Sequence, residues 1–106
     1  MRRIVRGEVW IVDLGYQGKI RPCVVISQEP EDIDRDLRTV APFTTQPRRS
    51  RFEVPLDVPA LSREKSVVDA QNLMTTTSSK FLRKVGRLSG VQLDEVCAAA
   101  RAWLEL

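Results

Sequence analysis

The sequence predicts a small α+β domain, mainly β, in which a β-barrel with short helical pieces is followed by a C-terminal helix. Short apolar segments rich in β-forming residues recur along most of the chain, with prolines, glycines and polar turns between them. The last segment instead carries apolar residues at helical spacing. A length of 106 residues suits one domain of this kind, so we expect residues 1–106 to fold as a single unit.

The predicted strands cover residues 7–14, 23–27, 38–44, 52–56 and 66–73. Because proline cannot donate a hydrogen bond to a ladder, Pro22 suits the start of the second strand, and Pro42 predicts an edge or a bulge in the third. The acidic residues 28–37 predict an exposed loop. Residues 61–65 predict a brief helical turn, and the Thr/Ser-rich residues 75–79 are expected to cap a short helix that runs to residue 84.

The C-terminal helix has the clearest pattern. Ser89, with Gln92 three residues later, predicts a capping box at its start. Its predicted apolar face consists of Leu93, Val96, Cys97, Ala100, Trp103 and Leu104. We expect Trp103 to fill the core from this face.

The composition excludes several kinds of catalytic site. The sequence contains no histidine, which excludes Ser-His-Asp and Cys-His triads, paired-histidine ribonuclease chemistry and histidine-bound metals. Cys23 and Cys97 lie far apart, each within an apolar segment, so we expect two buried small side chains rather than a disulfide framework or a zinc site. We expect neither a metal nor a cofactor.

The charges are unevenly distributed around a net charge of +3. Basic clusters stand at Arg2, Arg3 and Arg6 and at Arg48, Arg49 and Arg51, with the acidic residues 29–36 between them. Taken alone, such a cluster is either a solvated surface or a contact for an anionic partner. The N-terminus has charge without an apolar segment behind it, and no apolar run suits a membrane span, so we expect a cytoplasmic protein.

Two polar segments adjoin strand ends, at residues 18–22 and 42–46. If both strands enter one sheet, Arg21 precedes one strand and Thr44 ends the other, so antiparallel neighbours would bring the two side chains together at one edge. Arginine offers a planar fork of donors that suits a phosphate, and threonine adds a hydroxyl. Arg21 and Thr44 are therefore the candidate catalytic pair.

Four motifs in series resemble those of a known family. They are Arg-Gly-Glu-Val-Trp at 6–10, Arg-Pro-Cys-Val-Val-Ile-Ser at 21–27, Pro-Phe-Thr-Thr-Gln at 42–46 and Gly-Arg-Leu-Ser at 86–89. In this order and spacing, the sequence resembles the MazF/PemK (Kid) family of toxin–antitoxin endoribonucleases across nearly its whole length.

The resemblance implies an SH3-like β-barrel of the CcdB/MazF/PemK kind, assembled as a homodimer. It implies a metal-independent, sequence-selective endoribonuclease of a type II toxin–antitoxin system that cleaves single-stranded RNA, chiefly mRNA. In the family the ribose 2′-OH attacks the adjacent phosphorus and leaves 2′,3′-cyclic phosphate and 5′-OH ends. The family's catalytic arginine and threonine match Arg21 and Thr44. The implied partners are a cognate antitoxin and, only through the antitoxin, DNA.

The same resemblance gives other residues a role in RNA binding. Phosphate contacts are expected from the basic residues near the site, and base contacts from polar and aromatic groups on the loops. The expected RNA-binding residues are Tyr16, Gln17, Lys19, Thr45, Gln46, Arg48, Arg49 and Arg51. One departure stands out, because many relatives have a glutamate where this chain has Tyr16, and the loop 15–20 is shorter than in several of them.

Two alternatives compete with the nuclease. CcdB-like gyrase poisons share the barrel and act through the end of the C-terminal helix, which residues 103–106 resemble superficially. A catalytically inactive RNA-binding module is the other alternative, and Tyr16 at a glutamate position supports it. The intact Arg-Pro and Thr-Thr-Gln motifs favour the nuclease.

Overall fold

A computed structural model describes residues 3–15, 19–61 and 67–106. The described residues form seven strands and one helix, with a 3₁₀ turn at Ser78–Lys80 between the last two strands. The elements are β1 Glu8–Asp13, β2 Ile20–Val25, β3 Leu37–Thr44, β4 Glu53–Pro55, β5 Val67–Asp69, β6 Met74–Thr77, β7 Phe81–Arg87 and α1 Gly90–Leu104. The predicted fold class, mainly β with a C-terminal helix, is confirmed. The helical turn predicted at 61–65 lies, apart from its first residue, outside the described residues.

All strand pairs are antiparallel, and the strands run in the order β4-β5-β3-β2-β1-β7. Strand β6 shares the outer edge of β3 with β5, because β6 pairs with Leu37–Val40 and β5 with Phe43 and Thr44. Among the described residues no ladder joins β4 to β7. Val58, which follows β4, instead packs near Gly86 of β7, where its Cγ1 lies 3.7 Å from the position that a Cβ would occupy. The sheet therefore bends into an open, barrel-like shape.

Both faces of the central strands are buried. Val9 and Val24 contribute to a core cluster that includes Val96 of α1, whereas Trp10 and Cys23 face a second cluster around Phe81. This explains the continuous apolar run at residues 23–26, since a strand covered on both sides does not alternate with polar residues. The predicted buried strand at this position is confirmed, although it begins earlier, at Ile20.

The Arg-Gly-Glu-Val-Trp motif has a structural role. Gly7 has a φ of +93°, and a Cβ there would come within 3.3 Å of a Leu93 methyl, so a side chain would be strained. The Glu8 side chain is only 7% exposed and pairs with Lys84 at 2.8 Å. Arg6 donates to the carbonyl of Ile26 at 3.0 Å. The motif thus ties the start of β1 to its neighbours.

The two cysteines differ in their surroundings. Cys23 is buried, and this burial raises the pKa of its thiol to about 12. Cys97 is only half-buried, and its Sγ accepts a hydrogen bond from Arg6 Nη2 at 3.1 Å. The prediction of a buried small side chain is confirmed for Cys23 and wrong for Cys97.

Three further local predictions are wrong. Residues 75–84 form no α-helix beyond the 3₁₀ turn at Ser78–Lys80, because Met74–Thr77 pair with β3 and Phe81–Arg87 pair with β1. Of the strand predicted at 66–73, residue 66 lies outside the described residues, and Val67–Asp69 form a strand that a turn follows. Trp103 is not in the core. It is 44% exposed and packs edge-on against Phe52 at 5.4 Å between ring centroids.

Pro42 lies inside the sheet rather than at an edge. Strand β3 has β2 on one side, and on its other side Pro42 falls between the β6 ladder, which ends at Val40, and the β5 ladder, which begins at Phe43. A missing N–H costs little where the neighbouring strand changes. The helix begins as predicted, with the Ser89–Gln92 capping box. Within the described residues, no helix has both the length and the apolar character needed to cross a membrane.

Candidate active site

The candidate site lies where β2 and β3 part. Their ladder runs from Val25↔Val40 to Cys23↔Pro42. Pro42 is its last member, and Pro22, the next residue on β2, carries no N–H that could bond to β3 and extend it. If the register continued by two residues on each strand, Arg21 would stand opposite Thr44. The sequence thus ends the ladder with Pro22, and each residue of the candidate catalytic pair lies two positions beyond the last ladder pair.

A cavity of about 270 Å³ opens at this point. It is lined by Lys19, Ile20, Arg21, Pro22, Phe43 and Thr45. Phe43 is buried and forms the apolar wall, Arg21 is half-buried, and Lys19 and Thr45 are exposed. The cavity therefore combines two cations with an apolar wall that could contact a base.

Thr44 is the last residue of β3, as predicted. Its Oγ1 accepts a hydrogen bond from the backbone N–H of Gln46 at 3.1 Å. This bond occupies one lone pair and leaves the hydroxyl hydrogen able to donate. The turn after β3 thus orients the Thr44 hydroxyl and keeps it half-buried.

A second, polar cavity of about 340 Å³ adjoins Thr44. It is lined by Thr44, Gln46, Arg48, Ser50, Glu53, Asp69 and Gln71. Glu53 and Asp69 stand opposite each other in the β4–β5 ladder, and Phe43↔Val68 places Asp69 beside Pro42. Since alternate residues share a face, Asp69 and Glu53 lie on the same face of the sheet as Thr44.

Residues 5–104 match the model of a family described as "PemK-like, MazF-like toxin of type II toxin-antitoxin system". The chain belongs to this family. The resemblance drawn from the four motifs is confirmed.

Solved structures of other toxins share the fold of this PemK/MazF toxin. The Mycobacterium tuberculosis toxin MazF-mt6 is 30% identical, with a TM-score of 0.78 over 93% of this chain and 97% of that one. MazF from Deinococcus radiodurans is 20% identical, with a TM-score of 0.85 over 100% of both chains. An endoribonuclease in complex with its cognate antitoxin, from a mycobacterial species, is 21% identical, with a TM-score of 0.82 over 98% of this chain and 97% of that one. A comparison with curated proteins returned no match.

The three arginines after the site diverge in this PemK/MazF toxin. Arg48 borders the polar cavity, and its backbone N–H donates to the Glu53 carboxylate at 2.9 and 3.1 Å. Arg49 is exposed beside it, with a left-handed φ of 58°. Arg51 instead places its guanidinium 4.6 Å from the Phe52 ring centroid and borders a groove along α1. The row expected from sequence is therefore split between the site and the helix.

Two predicted RNA-binding residues, Tyr16 and Gln17, lie outside the described residues. Three residues that sequence reasoning did not single out, Glu53, Asp69 and Gln71, line the polar cavity. A signal for two of them is present in the sequence, because Asp69 and Gln71 directly follow the apolar pair Val67-Val68 at the end of a strand. Only the pairing of β5 with β3 shows that this strand end adjoins Thr44.

Proposed function

We propose that this PemK/MazF toxin is a sequence-selective endoribonuclease that cleaves single-stranded RNA, chiefly mRNA, with Arg21 and Thr44 as its catalytic residues. The observation that supports this most strongly is the end of the β2–β3 ladder, where Arg21 lies two residues beyond Cys23, Thr44 lies two residues beyond Pro42, and each borders a cavity. A related solved structure is named an endoribonuclease, and it has the same fold.

The chemistry requires no histidine, because the nucleophile belongs to the substrate. The ribose 2′-oxygen bonds to the adjacent phosphorus as its proton passes to water, and the bond from phosphorus to the 5′-oxygen breaks as that oxygen takes a proton from water. The products are a 2′,3′-cyclic phosphate and a 5′-OH. The protein supplies positioning and charge stabilisation. The positively charged guanidinium of Arg21 stabilises charge on the phosphorane oxygens, while the Thr44 hydroxyl donates a hydrogen bond to them.

The RNA would extend on both sides of this pair. Lys19 on one side and Arg48 and Arg49 on the other supply phosphate contacts, and Arg51 extends this basic surface towards α1. Base contacts are assigned to Gln46 and Thr45 at the cavities and to Tyr16 and Gln17 on the loop before β2.

The assembly proposed for this toxin is a homodimer that binds a cognate antitoxin and contacts DNA only through it. The antitoxin as a partner is supported by structures of Deinococcus radiodurans MazE–MazF and of a mycobacterial endoribonuclease with its antitoxin. Carboxylates of the antitoxin would pair with the arginines that bind RNA. An mRNA substrate would place the protein in the cytoplasm.

The test is cleavage of a long single-stranded RNA in EDTA, with analysis of the product ends. Wild type should leave cyclic phosphate and 5′-OH ends. Arg21→Ala and Thr44→Ala should each lower the cleavage rate by about 100-fold or more, because each removes a donor to the developing charge. Thr44→Ser keeps the hydroxyl and should retain most of the activity. Arg35→Ala, which removes an exposed arginine of the acidic loop, is the matched control and should cleave like wild type.

Two outcomes would contradict the proposal. Intact RNA together with stalled gyrase would identify a gyrase poison, for which the half-exposed Trp103 at the helix end would be the first residue to mutate. RNA binding without cleavage would identify an inactive binding module.

A further inference from the structure

Thr44 of the proposed catalytic pair lines the polar cavity described above, but the proposed cleavage chemistry uses none of the other lining residues. We call it the Asp69 pocket, and its lining includes Thr44, Gln46, Arg48, Glu53, Asp69 and Gln71. Its volume of about 340 Å³ lies at the small end of the range for ligand pockets. It combines hydrogen-bond acceptors on its two carboxylates with donors on two amides and an arginine. Such a mixture suits the edge of a nucleobase, which carries both kinds of group.

The carboxylate of Asp69 is held in place and remains available. Its Oδ1 accepts a hydrogen bond from the backbone N–H of Gln71 at 3.0 Å. Its Oδ2 has no hydrogen-bond partner in the part of the chain that the structure describes. Glu53, in contrast, already accepts from the backbone N–H groups of Arg48 and Ser50. Asp69 is therefore the fixed acceptor that a ligand would meet.

The charge of the pocket selects the part of the nucleotide that enters it. Glu53 and Asp69 face each other across the β4–β5 ladder, and their negative charges repel a phosphate group. A base carries no net charge and can donate to the same oxygens. Because Thr44 also lines the pocket, a phosphate held at Thr44 would direct a neighbouring base into it.

Guanine is the base that fits a carboxylate best. Its Watson–Crick edge presents two adjacent donors, N1–H and the N2 amino group, which match the two oxygens of one carboxylate. Adenine and cytosine present a lone pair beside a single amino group, and uracil presents one N–H between two carbonyl oxygens. Guanine O6 would then accept from an amide of Gln71 or Gln46.

We propose that the Asp69 pocket binds the base of a nucleotide that flanks the cleaved bond and selects guanine, with Asp69 and Gln71 as specificity-determining residues. The proposal rests on the endoribonuclease function proposed above. It adds the substrate class, an RNA with guanine next to the cleaved bond.

The test maps cleavage sites in a randomised single-stranded RNA by sequencing the 5′-OH ends. Wild type should show guanine at one of the two flanking positions. Asp69→Asn keeps an oxygen for the Gln71 N–H but replaces the other acceptor with a donor. The preference for guanine should therefore fall about tenfold. Cleavage beside adenine should become more frequent, because an asparagine amide can pair with adenine. Gln71→Ala should weaken the same preference. Asp94→Asn makes the same change of charge on the exposed side of α1 and should leave the preference unchanged.

Wild-type cleavage without guanine enrichment at either flanking position would overturn the proposal, as would an Asp69→Asn variant with the wild-type preference. If Asp69→Asn does not fold, the Gln71→Ala variant tests the proposal, because the Gln71 side chain is exposed and its removal should leave the fold intact. If the wild type cleaves no RNA, the endoribonuclease proposal fails. The pocket is then tested by fluorescence anisotropy with pentanucleotides that carry a 2′-deoxy residue and one of the four bases at the centre. Tighter binding of the guanine oligonucleotide by wild type, lost in the variants, supports the pocket, and equal binding of all four overturns it.

Discussion

Glu8 accepts hydrogen bonds from the backbone N–H of Val5 at 2.9 Å and from the Trp10 indole at 3.0 Å, and it forms an ion pair with Lys84 at 2.8 Å. Burial raises the pKa of Glu8, but the hydrogen bonds from Lys84, Val5 and Trp10 and the Lys84 charge outweigh it and hold the pKa below its ordinary value of 4.5. The ionised form is therefore the one that stabilises the fold.

Glu8→Gln should lower the free energy of unfolding at pH 7 by about 1–3 kcal/mol, because hydrogen bonds to a charged acceptor are replaced by weaker ones. The folded pKa lies below the unfolded one, so this contribution is fully present above the ordinary value and is lost as the pH falls through the lowered folded pKa. Urea unfolding of wild type and variant at pH 7 and at pH 3 measures both differences. The exposed Glu95→Gln on α1 is the control, and an equal loss at the two pH values would contradict this role for Glu8.

At the scale of elements, strand pairing determines the secondary structure of segments whose local propensity does not. The sequence of α1 carries its own start signal, and the Ser89–Gln92 capping box forms as predicted. Residues 74–87 carry no comparable signal, and they become strands because β3 and β1 offer free edges beside them. Pro22 acts at the same scale, because it offers β3 no N–H where the ladder between β2 and β3 ends and the site opens.

Ser89→Ala should lower the free energy of unfolding by about 1 kcal/mol, since it leaves the backbone N–H of Gln92 without its cap. Gln92→Ala removes the reciprocal bond to the Ser89 N–H and also a bond to the carbonyl of Asp57. Chemical denaturation of the two single variants and the double variant forms a cycle. The losses should sum to more than that of the double variant, and strict additivity would show that the two bonds do not act together.

At the scale of the whole molecule, the net charge is small, but the basic residues are unevenly distributed over the surface. The 17 basic and 14 acidic residues leave only +3, yet Lys19, Arg21, Arg48 and Arg49 lie around the candidate site. Glu53 and Asp69 lie near Arg48, but within the described residues no ion pair joins an acidic side chain to any of these four cations, as one joins Glu29 to Arg3 at 3.0 Å. The four cations are thus available to an anionic partner.

Arg48→Gln combined with Arg49→Gln should weaken binding of every single-stranded RNA to a similar degree. The slope of log affinity against log salt should become shallower by about 0.7 for each phosphate that the variant no longer neutralises. Binding to a noncleavable RNA, titrated at several salt concentrations, measures this slope, with Arg35→Gln as the matched control. A changed cleavage sequence with an unchanged salt slope would mean that these arginines read bases instead.

Local signals in the sequence predict the fold class, the first and third strands, the start of α1 and the family. A run of β-forming residues marks Glu8–Asp13, a cap marks Ser89, and the Arg-Pro and Thr-Thr-Gln motifs mark Arg21 and Thr44. The position of Trp103 could not be predicted. Helical spacing places it on the apolar face, but its exposure depends on what packs beneath the end of the helix, where the Phe52 ring contacts it edge-on.

The sequence by itself therefore determined the mainly β fold with its terminal helix, the absence of histidine chemistry and the choice of Arg21 and Thr44. Tertiary structure alone decided what surrounds that pair. Strand β5 pairs with the last two residues of β3, and this brings Asp69 and Gln71 to the pocket beside Thr44. The physical reason is that pairing partners are chosen across the whole sheet by burial and free backbone groups, and local patterns do not encode which edges will meet.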